Sequence, residues 1–365
     1  LLQKPPSETT RLTLAGILAV QTYDRQKSYR WNYEHVPAAV SLSVPTVSAE
    51  SSNGEFSFCG LPVHSPLGVP AGPLLNGKWC LYYASLGFDV VTYKTVRSGF
   101  HECYPLPNLV PVDTASLFGG EQSVSQATTM DGSWAVSYGM PSQDPIDWQV
   151  DIAETRQQLP SGKVLSVSIV GTVQPDWTLE RLAEDYALCA SLAVESGADC
   201  IEANFSCPNV STCDGQLFQN PADCATVVKI IRAAIGDTPL IGKIGRLNND
   251  DESLELIQHL NGHLDALAMT NSIATQVLDQ NGTLMFEGQR RGICGKATLQ
   301  ASVAQTKSLN DMITEHNLDI KLIGVGGVSK VEDVRDYLAA GAQAVHIATA
   351  AMVNPLVAIE IKKAW

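Results

Sequence analysis

Ala198-Asp199-Cys200-Ile201-Glu202-Ala203 is an apolar run that passes directly into Asn204-Phe205-Ser206-Cys207-Pro208-Asn209. The first half reads as a buried strand and the second as the loop at its C-terminal end. A thiol beside a hydroxyl, flanked by two amides and fixed by a proline, is not ordinary loop composition. Loops at strand ends are where a rigid scaffold holds chemistry. Just upstream, Leu179–Glu195 has the pattern of an amphipathic helix, and Gly197 stands where a left-handed C-terminal cap belongs.

The same alternation of helix and strand extends along most of the chain. Eight short runs rich in Val, Ile and Leu read as strands: Leu67–Ala71, Asp89–Lys94, Val164–Val170, Ala198–Ala203, Pro239–Ile244, Leu264–Thr270, Ile320–Val325 and Gln343–Thr349. Between them, Leu179–Glu195, Pro221–Ala234, Asp251–His259, Thr298–His316 and Val331–Ala340 read as helices. Ser329 followed by Glu332 suggests an N-cap with its capping-box acid, and Gly341 a second C-terminal cap. Eight β/α units predict an α/β fold, a closed (β/α)8 TIM barrel, with a doubly wound open sheet as the alternative.

Outside the barrel, residues 1–54 read as an N-terminal extension with one helix, Arg11–Arg25, and a polar linker ending at Gly54; the barrel takes 55–365. Arg97 to Trp148, after the second strand, is too long for an ordinary β/α loop and predicts an insertion that shapes or covers a pocket.

Composition narrows the classes. With 45% hydrophobic residues in 365, the chain can bury a large core. A net charge of -14 disfavours nucleic acid and anionic membrane as partners. The nine cysteines contain no CxxC pair, so no metal site or iron–sulfur cluster is expected, and scattered thiols fit a reducing compartment, the cytoplasm. No apolar run reaches 18 residues, so no membrane span is expected, and Leu14 to Val20 lacks the flanks of a signal peptide.

In a barrel the chemistry sits at the C-terminal strand ends. These ends carry two lysines, several amides and glycines, and a thiol, with no histidine and no close carboxylate pair. That set disfavours glycosidase chemistry and His-based metal hydrolysis. Gly326-Gly327 and Ala348-Thr349 end the last two strands, where barrels often bind phosphate, and Gly292-Ile293-Cys294-Gly295 could close over it; tight turns are the structural alternative. Lys94 and Lys243 should each face an anion or an electron-rich ligand, or else pair with a barrel carboxylate such as Glu202. Asn204, Asn209 and Asn271, the last followed by Ser272, offer three amides to a ring of alternating N–H and C=O groups.

Asn204-Phe205-Ser206-Cys207-Pro208-Asn209, Thr270-Asn271-Ser272 and Gly326-Gly327 resemble the dihydroorotate dehydrogenase family, to which the pyrimidine-reducing domain of dihydropyrimidine dehydrogenases is related. The resemblance covers roughly residues 56–363; the Asn-x-Ser-Cys-Pro-Asn motif is its specific part. It implies an FMN-containing barrel that oxidises or reduces the ring carbon–carbon bond of a pyrimidine. By motif, Cys207 resembles the acid/base, assisted by Ser206, and a cysteine here is similar to the soluble class. Lys94 resembles the lysine that touches both flavin and substrate, and Lys243 the lysine near the reduced flavin's anionic edge. Asn204, Asn209, Asn271 and Ser272, with the Tyr138-Gly139-Met140 loop, resemble substrate contacts. Ala71, Gly72 and Thr270 resemble flavin contacts, and Gly295, Gly326, Gly327, Ala348 and Thr349 the phosphate cradle.

The chain departs from the family pattern at three places. Val136 stands where an asparagine is usual, a loss worth ~1–3 kcal/mol if a buried polar group is left unpaired. Ala348 replaces a usual glycine, and Arg290-Arg291 precede Gly292 where small residues are common. The implied activity is oxidation of dihydroorotate to orotate. A dihydrouracil or dihydrothymine dehydrogenase, a flavin-binding protein without turnover, and a Schiff-base lyase using Lys94 or Lys243 are the alternatives. A pyrimidine-like small molecule is the expected substrate, and a homodimer or an electron-transfer subunit are partners left open.

Overall fold

The computed structural model describes residues 20–48, 56–206 and 217–365. Eight parallel strands close into a barrel in chain order: β1 Leu67–Val69, β2 Val90–Val96, β3 Val164–Ile169, β4 Cys200–Asn204, β5 Leu240–Lys243, β6 Ala266–Met269, β7 Lys321–Val325 and β8 Ala342–His346. The eight strands expected from sequence are these eight, so the open-sheet alternative falls. The helices Leu179–Glu195, Pro221–Ile235, Asp250–Leu260, Leu299–Glu315 and Val331–Ala339 also follow expectation. Gly77–Ser85, Pro145–Gln158 and Val357–Lys363 are helices that the sequence reading did not name.

Side chains alternate across each strand, so the barrel has two apolar layers. Val91, Leu165, Ile201, Leu267 and Val345 face the helices in the main core. Val90, Val164, Cys200, Ile241, Ala266, Ile323 and Ala344 fill the lumen, which Phe58 of a β-hairpin closes from below. Alternation from these lumen residues puts Thr92, Glu202 and His346 midway up the barrel, and Lys94 and Asn204 at its mouth. The lumen is therefore apolar at the base and polar towards the mouth.

The insertion is a structured element. Its strands Leu109–Asp113, Ser123–Gln126 and Ser133–Val136 join Ile273–Leu278 and Arg291–Gly295, which follow β6, in a second, five-stranded closed barrel. Its interior holds Val110, Val124, Ala135, Ile273, Val277 and Ile293. Alternation then turns Trp134, Val136 and Tyr138 towards the mouth of the large barrel.

Two local expectations are corrected. Val20–Asp24 are not helical and Arg25 lies in a turn; the rest of the expected Arg11–Arg25 helix lies outside the described residues. Instead Ser28 caps a short helix, Tyr29–Glu34, with its side chain accepting from the Trp31 amide. The cap of Val331–Ala339 is Lys330, one residue later than Ser329. The acid is Asp333 and not Glu332: its carboxylate accepts from the Ser329 and Lys330 amides. Gly197 and Gly341 do take the left-handed cap conformation, with φ of 101° and 100°.

The described part of the extension is built into the core. Asn76 Nδ2 donates to the Tyr33 carbonyl and Trp79 Nε1 to that of Asn32. The rings of Tyr23 and Tyr29 meet Tyr138 edge-on at 6.1 and 6.0 Å. The expected boundary at 54/55 lies outside the described residues. At the base, burial alone would raise the Asp89 carboxyl, but Lys163 and Lys362, at 2.6 and 2.8 Å, outweigh it and hold it below the usual range.

Candidate functional site

A cavity of about 480 Å³ opens at the C-terminal end of the barrel, between it and the five-stranded barrel. Ala71, Gly72, Tyr138, Lys243 and Asn271 line it, with Gly295, Gly326, Gly327, Ala348 and Thr349 in another part of its wall. One space thus gathers residues from strand ends separated by most of the chain, while Lys94, Gly139, Met140, Asn204, Ser206, Thr270 and Ser272, also named from sequence, are not part of its wall. Trp134, Lys296 and Cys294 also line it and were not singled out. Burial pushes the Cys294 thiol up to about 12, so it is neutral near pH 7.

Two of the expected amides belong to one hydrogen-bonded set. Asn271 Nδ2 donates to Ser206 Oγ at 2.8 Å, and Ser206 Oγ donates to Asn204 Oδ1 at 3.0 Å. The Ser206 amide reaches the same Asn204 oxygen at 3.2 Å, and Asn204 Nδ2 donates to Met140 Sδ at 3.1 Å. Tyr186 OH holds the Asn204 carbonyl from the helix behind. Cys207 and Asn209 lie outside the described residues, as does Cys213.

The Tyr138-Gly139-Met140 loop is shaped by close packing. Gly139 and Met140 both have left-handed φ, 73° and 52°. A Cβ on Gly139 would come within 2.7 Å of the Tyr104 ring. Met140 pays the steric cost of that conformation without being glycine, so its neighbours must hold it there. Arg97, only 3% exposed, donates from Nε to the Met140 carbonyl at 3.2 Å and from Nη1 to the Gly171 carbonyl and Thr172 Oγ1. The sequence reading used Arg97 only as the start of the insertion. A cation three residues beyond a strand-end lysine was the signal that could have found it.

The two lysines differ. Lys243 Nζ lies 2.7 Å from Glu202 Oε1, with both side chains under 10% exposed, at 7% and 1%. The carboxylate alternative weighed for it is therefore real, although Lys243 also lines the cavity. Lys94 is buried at the mouth, 6% exposed, with its backbone N–H on the Leu74 carbonyl.

The glycines are required by protein neighbours before any ligand is considered. A Cβ on Gly326 would crowd Ser302 and Thr298 Oγ, one on Gly327 the Leu299 backbone, and one on Gly295 the Gly132 carbonyl. A Cβ on Gly292 would collide with Ser272, so the Gly292–Gly295 strand covers the expected substrate contact at one end and the expected phosphate end at the other.

The residues fit a flavin on two counts. Thr270 Oγ1 is buried at the top of β6 with no hydrogen-bond partner among the described residues. The cavity wall also combines apolar Trp134, Val136 and Val325 with polar Lys243, Asn271 and Thr349, as an amphiphilic ring ligand requires. Among the described residues no helix is long and apolar enough to cross a membrane.

Comparison with known proteins gives one consistent answer. A model of the dihydroorotate dehydrogenase family matches residues 135–364. A dihydroorotate dehydrogenase of Dictyostelium discoideum is 32% identical over 358 residues, covering 93% of this chain and 95% of its own. The dihydroorotate dehydrogenase B (NAD(+)) catalytic subunit of Methanocaldococcus jannaschii is 24% identical over 294 residues, covering 80% and 85%. A crystal structure of an Eimeria tenella DHODH in complex with ferulenol superposes with a TM-score of 0.70 at 17% identity, over 100% of this chain and 92% of that one; at that identity it speaks for the fold.

Proposed function

The chain belongs to the dihydroorotate dehydrogenase family, and from that premise we propose that it removes two hydrogens from the ring carbon–carbon bond of dihydroorotate, giving orotate. It is thus an oxidoreductase acting on a CH–CH group, and a flavoprotein by family. The flavin we assign is FMN, which when bound supplies the two-electron acceptor. Ala71, Gly72, Thr270 and Lys243 would hold its ring region, and Gly295, Gly326, Gly327, Ala348 and Thr349 its phosphate.

The observation that carries the reading is the Asn271–Ser206–Asn204 set, which meets the cavity wall at Asn271 and whose Ser206 directly precedes Cys207 in the sequence. Cys207 Sγ takes the proton from the ring carbon next to a carbonyl. Ser206 is already committed, its hydrogen on Asn204 Oδ1 and its oxygen accepting from Asn271. Its role is therefore to fix the two amides, and not to relay the cysteine's proton. Asn204, Asn209, Asn271 and Ser272 hold the ring, with Gly139 and Met140 at its edge. Lys94 and Lys243 are the cations that meet its negative charge and that of the cofactor.

Val136 supports a second substrate. It lines the cavity as an apolar residue, which suits a neutral ring such as dihydrouracil or dihydrothymine better than a polar partner would. Anaerobic titration of the yellow protein with dihydroorotate, dihydrouracil and dihydrothymine separates the two. Bleaching by dihydroorotate alone supports the first reading; bleaching by only the neutral rings replaces it.

A further inference from the structure

We propose that Arg97 is a positioning residue for substrate binding, holding the Gly139-Met140 turn and, through it, the Asn204 amide. This role rests on the reading of Gly139, Met140 and Asn204 as substrate contacts.

Two loops converge on this one side chain, and its backbone is fixed as well. Arg97 directly follows β2, its backbone N–H donates to Ser142 Oγ, and its backbone carbonyl accepts from Trp148 Nε1. Its guanidinium then reaches the Met140 carbonyl in the insertion and the Gly171 carbonyl and Thr172 hydroxyl beyond β3. Thr172 is itself fixed, its amide donating to Asp185 Oδ2 at 2.8 Å. A planar, rigid fork of donors can hold separate acceptors at once, which an ammonium on a flexible stem does poorly.

The consequence reaches the site through Met140. Its φ of 52° is unfavourable for a residue with a Cβ. The Arg97 contact on its carbonyl opposes relaxation of that turn. In this conformation the Met140 sulfur accepts from Asn204 Nδ2. A thioether is a weak acceptor, so while Ser206 holds the Oδ1 end of Asn204, its Nδ2 end can exchange the sulfur for a substrate carbonyl.

The test is a double-mutant cycle on orotate binding to the flavin-loaded protein, with Arg97→Met, Met140→Leu and both changes together. FMN content, Tm and the split between KM and kcat are followed in parallel. Arg97→Met is expected to weaken orotate binding about 10- to 100-fold, the range for losing a bond to a charged donor. KM should rise with it, FMN content should hold, and the double variant should bind almost as Arg97→Met does, because Met140 acts through the turn Arg97 holds. Multiplicative losses in the double variant, or wild-type orotate affinity in Arg97→Met, overturn the role. Lower Tm and FMN content with KM unchanged would also overturn it, since that is purely structural behaviour. Should Arg97→Met fail to fold, Arg97→Lys keeps the charge but not the planar fork, and unchanged orotate affinity there overturns the role. A wild-type protein that binds no orotate defeats the functional reading and the role together; one that binds orotate with uncoupled variants defeats the role alone.

Discussion

The Asn271 side-chain amide donates to the Ser206 hydroxyl at 2.8 Å, tying the loop after β6 to the loop after β4 across the barrel mouth. Because Ser206 also donates to Asn204, one hydroxyl orients both amides. Ser206→Ala should therefore take the acceptor from Asn271 Nδ2 and leave Asn204 Oδ1 with the residue-206 backbone N–H in place of two donors. We expect kcat/KM for dihydroorotate to fall about 10-fold, from a loss on the order of 1–2 kcal/mol, mostly through KM. Steady-state kinetics on flavin-replete protein checks this, and an unchanged KM would contradict it.

Cys207 carries the proton transfer in this account. Cys207→Ala should keep FMN bound but slow anaerobic reduction of the flavin by dihydroorotate by roughly 10²–10⁴-fold. Stopped-flow single-turnover reduction measures this step alone, and a wild-type rate would remove Cys207 from the chemistry.

Lys243 has a structural partner as well as a place in the cavity wall. Lys243→Met strands the Glu202 carboxylate, which is 1% exposed; the expected destabilisation is ~3–5 kcal/mol. Lys243→Met with Glu202→Leu removes both charges and should recover most of that loss in urea unfolding, while catalytic activity stays low. Recovery of activity along with stability would show that Lys243 serves only the ion pair.

His346 sits midway up the lumen, 2% exposed, with neither ring nitrogen hydrogen-bonded among the described residues. Burial, the largest influence, lowers its pKa to about 4. Between that value and the ordinary pKa of about 6.5 the unfolded imidazole binds a proton that the folded one does not. Its contribution is therefore complete above about pH 6.5 and lost as pH falls towards 4, by up to ~3 kcal/mol. Unfolding free energies of wild type and His346→Leu between pH 7 and 4.5 test this; the variant should show the shallower pH slope, and parallel slopes would contradict it.

The barrel was legible because strands buried on both faces leave uninterrupted apolar runs, as in Val164–Ile169, and because Gly197 and Gly341 punctuate the helices. The small barrel was not, because its strands come from two distant segments that neither predicts alone. Ile273–Leu278 does bury every second residue, Ile273, Thr275 and Val277, but six residues of alternation inside a β/α loop are a weak signal. Of the site, strand ends named Asn204, Lys243, Asn271 and the glycines, since barrel geometry fixes where those face. Arg97 escaped because its importance lies in the carbonyls it meets, and carbonyls carry no sequence signature. The cap at Lys330 shifted from Ser329 because the Asp333 carboxylate takes both amides itself.

The central claim is oxidation of dihydroorotate by a flavin held in this barrel. Anaerobic titration of the purified yellow protein with dihydroorotate, following flavin bleaching and orotate together, tests it most directly. The account predicts full bleaching with one orotate formed per flavin reduced. A flavin that stays oxidised under excess dihydroorotate, with no orotate formed, would contradict it.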